Sequence, residues 1–498
     1  MTLTPQPAAG VCLHITSLPG SAGIGELGSA ARSFVDWLGA AGLTTWQVLP
    51  LGPCGYGDSP YQPLSCFAGN EQLIELAELV ELELLGRDAI APLQTLPRDR
   101  VEFGQLLPAR TALLHTAARR FRQRADRTLI QEYQQFVDTH DELWLRDYAA
   151  YRSLKSQHSQ RQWLDWPREH ARHRDALASL DSTQRARMDE VRILQFLFAR
   201  QWAALRRYAH ERGVQLMGDM PIYLALDSAD AWSRPELLLT DADGRPQRVA
   251  GVPPDYFSND GQLWGNPLYD WPAQAGDGFR WWRARLRHAA ERFDTVRIDH
   301  FRGFESYWSV PAGALTAREG RWEPGPGDEL FAALRSELVE LPVVAEDLGI
   351  ITEAVEQLRD RHGLPGMRVL QFDLVADEFS LAQLRPDTVC YTGTHDNDTT
   401  VGWFAGLPPD LQERVRSRMS GQGEPIHSAM VRTAFAAPCR LAVAPLQDYL
   451  GLDSSCRLNI PGTASNNWRW RVTAEQLDGR WCEEIAAQVT ASGRSPRR

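Results

Sequence analysis

A chain of 498 residues, 43% hydrophobic and 23% charged, is globular with ample material for a core, and barrels with insertions reach this length as one domain. A net charge of −11 argues against nucleic acid or an anionic membrane surface as partner, and no apolar run reaches the ~20 residues of a membrane span. Seven cysteines, an odd number with no CxxC pair, argue against a disulfide framework or a zinc site and point to the cytoplasm.

The amino terminus, MTLTPQPAAGVCLHITSLPG, has neither a basic start nor a long apolar stretch, so it does not read as a secretory signal. Strands are predicted at Val11–Thr16 and Thr45–Leu49. Between them Phe34, Trp37, Leu38 and Ala41 form one helical stripe, stopped by Gly42. Gly23 to Gly28 fits GxGxxG, but a dinucleotide fold also wants an acid at the end of the next strand, and TTWQVLP has none. Residues from about 67 to 190 are rich in Leu, Ala, Arg and Glu and predict an inserted helical subdomain. Lys155, the only lysine, lies in a polar, charge-rich part of it, which argues against Schiff-base chemistry. A second stripe of Leu194, Phe198, Trp202 and Leu205 leads into a strand at Val214–Met220. Residues 221–282 are dense in Pro, Gly, Asp and Trp and predict a long structured loop region of the kind that builds a substrate site. Further strands are predicted at Thr295–His300, Pro342–Glu346, Met367–Phe372, Thr388–Tyr391 and Arg440–Pro445, and the tail ASGRSPRR is expected to be disordered. Eight strands alternating with helices predict an α/β fold, a parallel sheet closed into a (β/α)8 barrel within a single domain spanning 1–498.

Three of these strands end in charge. In TVRIDHFRG, Arg297 and Asp299 share one face of the strand. A guanidinium there favours the ionised carboxylate, as a carboxylate nucleophile requires, although a structural ion pair would look the same. LPVVAEDLG ends in Glu346 and Asp347, and TVCYTGTHDN in His395 and Asp396. Acids at the carboxyl ends of separate barrel strands mark catalysis. Metal catalysis is the competing reading. Adjacent pairs such as Asp299/His300 and His395/Asp396 face opposite ways, however, and no HxH or HExxH occurs, so neither a metal nor another cofactor is expected. Glycoside chemistry needs one ionised and one protonated carboxyl. Asp299 suits the first role, and Glu346, after Val343, Val344 and Ala345, has an apolar setting that should raise its pKa for the second. Asp396 would stabilise developing positive charge. Aromatic loops suit sugar faces: one presents Tyr56, Asp58, Ser59 and Tyr61, another Tyr256, Phe257 and Trp264. Asp219, in GDMPIY, is a hydroxyl clamp or a helix cap.

The segments HITSLPG, LGPCGYGDSPYQ, GDMPIY, GVPPDYFSNDGQLWGNP, VRIDHFRG, AEDLG, GTHDN and PGTASNNW together resemble the amylomaltases, the 4-α-glucanotransferases of the α-amylase clan, from about His14 to about Arg471. The resemblance implies retaining transfer of α-1,4-glucan segments on a barrel without a carboxyl-terminal β-domain. It implies Asp299 as nucleophile, Glu346 as acid/base and Asp396 as transition-state carboxylate. Sugar contacts would fall to Ser59, Tyr61, Asp219, Arg297, His300 and His395, with Tyr256, Phe257, Trp264 and Phe372 lining neighbouring subsites. The implied partners are malto-oligosaccharides, α-1,4-glucans and glucose, handled by a monomer or weak homodimer. A hydrolase of the α-amylase kind and a non-catalytic glucan-binding relative are the alternatives. Cys54 stands where many members carry Thr.

Overall fold

The computed structural model describes residues 6–254, 259–419 and 423–495. Eight strands form one sheet: β1 (Ala8–Cys12), β2 (Thr45–Gln47), β3 (Gln215–Pro221), β4 (Thr295–Asp299), β5 (Val343–Ala345), β6 (Gly366–Val369), β7 (Thr388–Tyr391) and β8 (Leu441–Pro445). Every pairing is parallel, in the order β6-β7-β8-β1-β2-β3-β4-β5. The two ends of that order meet. The Ala345 N–H donates to the Pro365 carbonyl at 2.8 Å and the Met367 N–H to Asp347 Oδ1 at 2.7 Å, which closes the sheet into a (β/α)8 barrel.

All eight predicted strands exist, with two shifts. β1 runs from Ala8 to Cys12, and residues Ile15–Ser17 form a 3-10 turn. Cys12 lies opposite Pro445, which has no N–H and ends β8, so the ladder stops there. β6 ends at Val369, and Leu370–Asp373 is a helical turn held by Arg368, which binds the Asp373 carboxylate. Phe372 therefore sits on a helix, not a strand.

Strand positions facing the helices are apolar and buried, among them Val296, Ile298 and Val343. Gly218 on β3 is required by packing. A Cβ there would come within 2.4 Å of the Phe293 ring, which follows helix Arg280–Arg292. That contact seats the helix against β3 directly beside Asp219.

The chain between β2 and β3 is helical, with helices at Phe103–Arg124, Arg127–His140 and Arg146–Gln157 among others. The helix Ser182–Glu211, started by an Asp181/Gln184 capping box, buries the predicted stripe of Leu194, Phe198, Trp202 and Leu205 and delivers the chain to β3. Lys155 is buried, unlike its polar neighbours suggested. Its Nζ donates to Asp227 Oδ2 at 2.5 Å, and the Tyr151 hydroxyl donates to Oδ1 at 2.6 Å, so the helices are tied to the segment after β3. Residues 221–282, expected as a long loop, contain two strands of a separate antiparallel sheet. Arg248–Val252 lies between Gln262–Pro267 and Ser306–Pro311, and Arg321–Pro324 pairs with the last. Half of that sheet comes from beyond β4, so no local alternation announced it.

The tail is more ordered than expected. Helix Gly479–Ala491 is followed by Arg494, which is 2% exposed and donates to the carbonyls of Ala8, Phe435, Ala437, Cys439 and Arg440. Residues 496–498 lie outside the described residues. No helix among the described residues is long and apolar enough to cross a membrane.

Candidate active site

Successive barrel strands bring a polar cluster to their carboxyl ends. Arg297 on β4 points into the barrel and is 4% exposed. Its Nη1 donates to both oxygens of Asp219 on β3, at 2.9 and 2.8 Å, and its Nη2 donates to Asp299 Oδ1 at 2.8 Å. One buried cation thus holds two carboxylates in fixed directions. Burial pushes the Asp219 carboxyl up while the Arg297 guanidinium opposes the rise. The Asp219 carboxylate also accepts from the Tyr61 hydroxyl at 2.8 Å. That hydroxyl lies 3.3 Å from His395 Nδ1, and the two rings stack with centroids 4.8 Å apart.

Glu346 follows β5 directly, one strand over from Asp299. Its N–H donates to the Ile298 carbonyl, which fixes the register of the two acids. Oε2 accepts the His300 N–H at 2.6 Å and Oε1 the Leu348 N–H at 3.1 Å. His300 turns into the left-handed region at φ 56°, an uncommon conformation for a non-glycine residue, and this aims its N–H at the carboxyl. The Glu346 carboxyl is pushed up to about 8, first by burial and then by the nearby negative charge of Asp299, against the pull of Arg297. This agrees with the apolar run before it. Near neutrality Glu346 therefore holds its proton, while its neighbour Asp299 is tied to a guanidinium.

Asp396 lies across the mouth, in the loop after β7. Its Oδ1 accepts from Asn459 Nδ2 at 2.6 Å and lies 3.3 Å from His395 Nε2. Burial holds the His300 imidazole down to about 4, so this ring is neutral. Trp264 packs edge-on to it at 4.7 Å. Phe372 presents a half-exposed ring from the helical turn after β6. The Ser59 hydroxyl accepts the Tyr61 N–H at 3.2 Å and so braces the loop that carries Tyr61. Tyr256 and Phe257 lie outside the described residues. The expected residues that are described thus gather at one mouth, on β3, β4 and the segments that follow β2 to β7.

Three neighbours went unnoticed in the sequence. Arg457 and Asn459 reach Asp396 from the segment after β8, and the Trp468 ring lies 5.9 Å from both Tyr61 and His395. RLN has no acid and no periodicity. Its one signal was its place just before PGTASNNW, which contains Trp468. Among the described residues, no three His, Cys, Asp or Glu side chains form a group that could hold a metal ion.

A parallel barrel with acids ringing the carboxyl ends of its strands defines a (β/α)8 enzyme. The family model described as 4-alpha-glucanotransferase matches residues 13–476. A 4-alpha-glucanotransferase of Streptococcus pneumoniae serotype 4 is 43% identical over 478 residues, 94% of each chain. That of Thermus thermophilus is 43% identical over 98% of this chain and 99% of its own. An amylomaltase from Streptococcus agalactiae, solved in complex with acarbose, superposes with a TM-score of 0.94 at 34% identity, covering 99% of this chain and 100% of the other. The chain belongs to the 4-α-glucanotransferase family.

Proposed function

We propose that this glucanotransferase moves α-1,4-glucan segments from a donor to the 4-hydroxyl of glucose or a malto-oligosaccharide by retaining double displacement. Asp299 attacks the anomeric carbon while Glu346 gives its proton to the departing glycosidic oxygen. A covalent glycosyl-aspartate forms, and the shortened glucan leaves. Glu346, now a carboxylate, takes the proton of the acceptor 4-hydroxyl as that oxygen displaces Asp299, which restores both acids. Asp396 stabilises the oxocarbenium-like charge in each step. Tyr61, Asp219, Arg297, His300 and His395 hold the reacting sugar. Trp264, Phe372, Tyr256 and Phe257 line the flanking subsites, and Ser59 completes the loop.

The observation that carries this reading is the opposed setting of Asp299 and Glu346. Asp299 ends β4 and Glu346 directly follows the neighbouring β5, and a strand spacing of about 4.8 Å suits the roughly 5 Å between carboxyls that retention requires. A monomer or weak homodimer and a cytoplasmic setting belong to the same proposal. So does a single catalytic domain over 1–498, with a helical insertion at about 67–190 and a substrate-site insertion at about 221–282.

Incubation with maltotriose tests it. Transfer redistributes chain lengths and releases glucose while the number of reducing ends stays nearly constant. Reducing ends that climb steadily from the start would make the chain a hydrolase.

A further inference from the structure

We propose that Asn459 is a positioning residue for the reaction: it sets the rotation of the Asp396 carboxylate from the segment after β8. This rests on reading Asp396 as the transition-state carboxylate. The Asn459 amide nitrogen donates to Asp396 Oδ1 at 2.6 Å. The second contact, His395 Nε2 at 3.3 Å, falls on the same oxygen. The amide of Asn459 holds Oδ1 on the side that His395 also faces, so the carboxylate rotation is set and Oδ2 is left to accept from sugar hydroxyls.

The amide itself is held in place. Arg457 donates through Nη2 to the Asp396 backbone carbonyl at 2.6 Å and through Nε to the Asn459 carbonyl at 2.8 Å, so one guanidinium bridges the two segments. On either side of Asn459, the Leu458 carbonyl accepts the Trp468 N–H at 2.7 Å and the Ile460 N–H donates to Asn467 Oδ1 at 3.0 Å. A side chain that must donate at this distance to an ionised oxygen, on a backbone pinned before and after it, is preorganised for one acceptor. Asp299 is oriented by Arg297. Asp396 takes its orientation from the segment after β8 instead.

Two substitutions separate this role from a structural one. Asn459→Ala removes the donor. Turnover from maltotriose should fall by about 10- to 100-fold with KM changed much less, because a misaimed carboxylate costs most in the transition state. Asn459→Asp places a second carboxyl against the first. The charged and titratable groups around the pair are His395, the Arg457 guanidinium and the Tyr61 hydroxyl. Two carboxyls this close do not both ionise, and they share one proton at low pH. The protonated form restores a donor to Oδ1. The ratio of Asn459→Asp to wild-type turnover should therefore be highest near pH ~5 and fall at least about tenfold by pH ~8. A merely structural loss would lower that ratio equally at every pH. If Asn459→Ala keeps turnover within about threefold of wild type, or if the Asn459→Asp ratio is flat with pH, the proposal is wrong. Should Asn459→Ala fail to fold, the pH ratio of Asn459→Asp decides alone. Asp396→Asn is the control. An active Asp396→Asn overturns the reading of Asp396 itself, whereas an inactive one beside unaffected Asn459 variants overturns only the role of Asn459.

Discussion

At Glu346 function and folding pull in opposite directions. The folded carboxyl is pushed up to about 8 from an ordinary value of 4.5, so between those limits the folded state holds a proton that the unfolded chain has released. Stability contributed by this group therefore falls as pH rises through that window. Glu346→Gln should melt higher than wild type at pH ~8, with the gain shrinking toward pH ~5; equal gains at both would remove burial of the acid as the cause. In the proposed mechanism the same proton is the one donated, so kcat/KM should decline as pH rises past about 8. Glu346→Gln should still form the glycosyl-enzyme from a glucosyl fluoride, whose leaving group needs little protonation, but not from maltodextrin. Equal loss with both donors at that step would give Glu346 another role. Asp299→Asn should fold normally and lose roughly 10³-fold or more in rate, since no glycosyl-enzyme can form; a variant with a tenth of wild-type activity would exclude Asp299 as nucleophile. Both acids were legible because each ends an apolar strand. Asn459 was not: its role depends on a meeting between the segments after β7 and β8 that no local pattern encodes.

Elements of the barrel were more legible than those beside it. Each barrel strand is a short apolar run closed by turn or charged residues, and parallel strands buried on both faces read that way in sequence. The antiparallel sheet was hidden because its two pairs of strands flank β4 in the chain and are stabilised by each other. That sheet has a function of its own. Its strand Gln262–Pro267 carries Trp264 to within 4.7 Å of the His300 ring, and the Trp264 indole donates to Gln262 Oε1 at 3.1 Å. Water near 55 M competes with any sugar for the glycosyl-enzyme, and an acceptor wins only by being bound in position. Trp264→Ala should therefore raise the ratio of hydrolysis to transfer more than it lowers total donor cleavage, read as reducing-end release against oligosaccharide redistribution. A fall in both reactions by the same factor would assign Trp264 to the donor side.

Across the whole molecule, the chain's last described residues tie the first barrel strand to the last. Arg494 binds five carbonyls beneath β1 and β8, including those of Ala8 and Arg440 at the starts of the two strands. Arg494→Ala would leave several buried acceptors unpaired and should cost about 2–4 kcal/mol of stability. Its signature is a lower denaturation midpoint with kcat unchanged at moderate temperature; an unchanged midpoint would mean that water replaces the guanidinium without loss. The tail read as disordered because ASGRSPRR has no apolar pattern, and an arginine that packs through its donors leaves none. A different consequence follows from Lys155. The one ε-amine of the chain is buried against Asp227, and arginine supplies every other permanently cationic side chain. Aldehyde resins and succinimidyl dyes, which capture lysine, therefore find no lysine side chain on the surface. A single Arg→Lys exchange on an exposed helix face would create a unique attachment point, and with it a choice of which way the barrel mouth faces on a support.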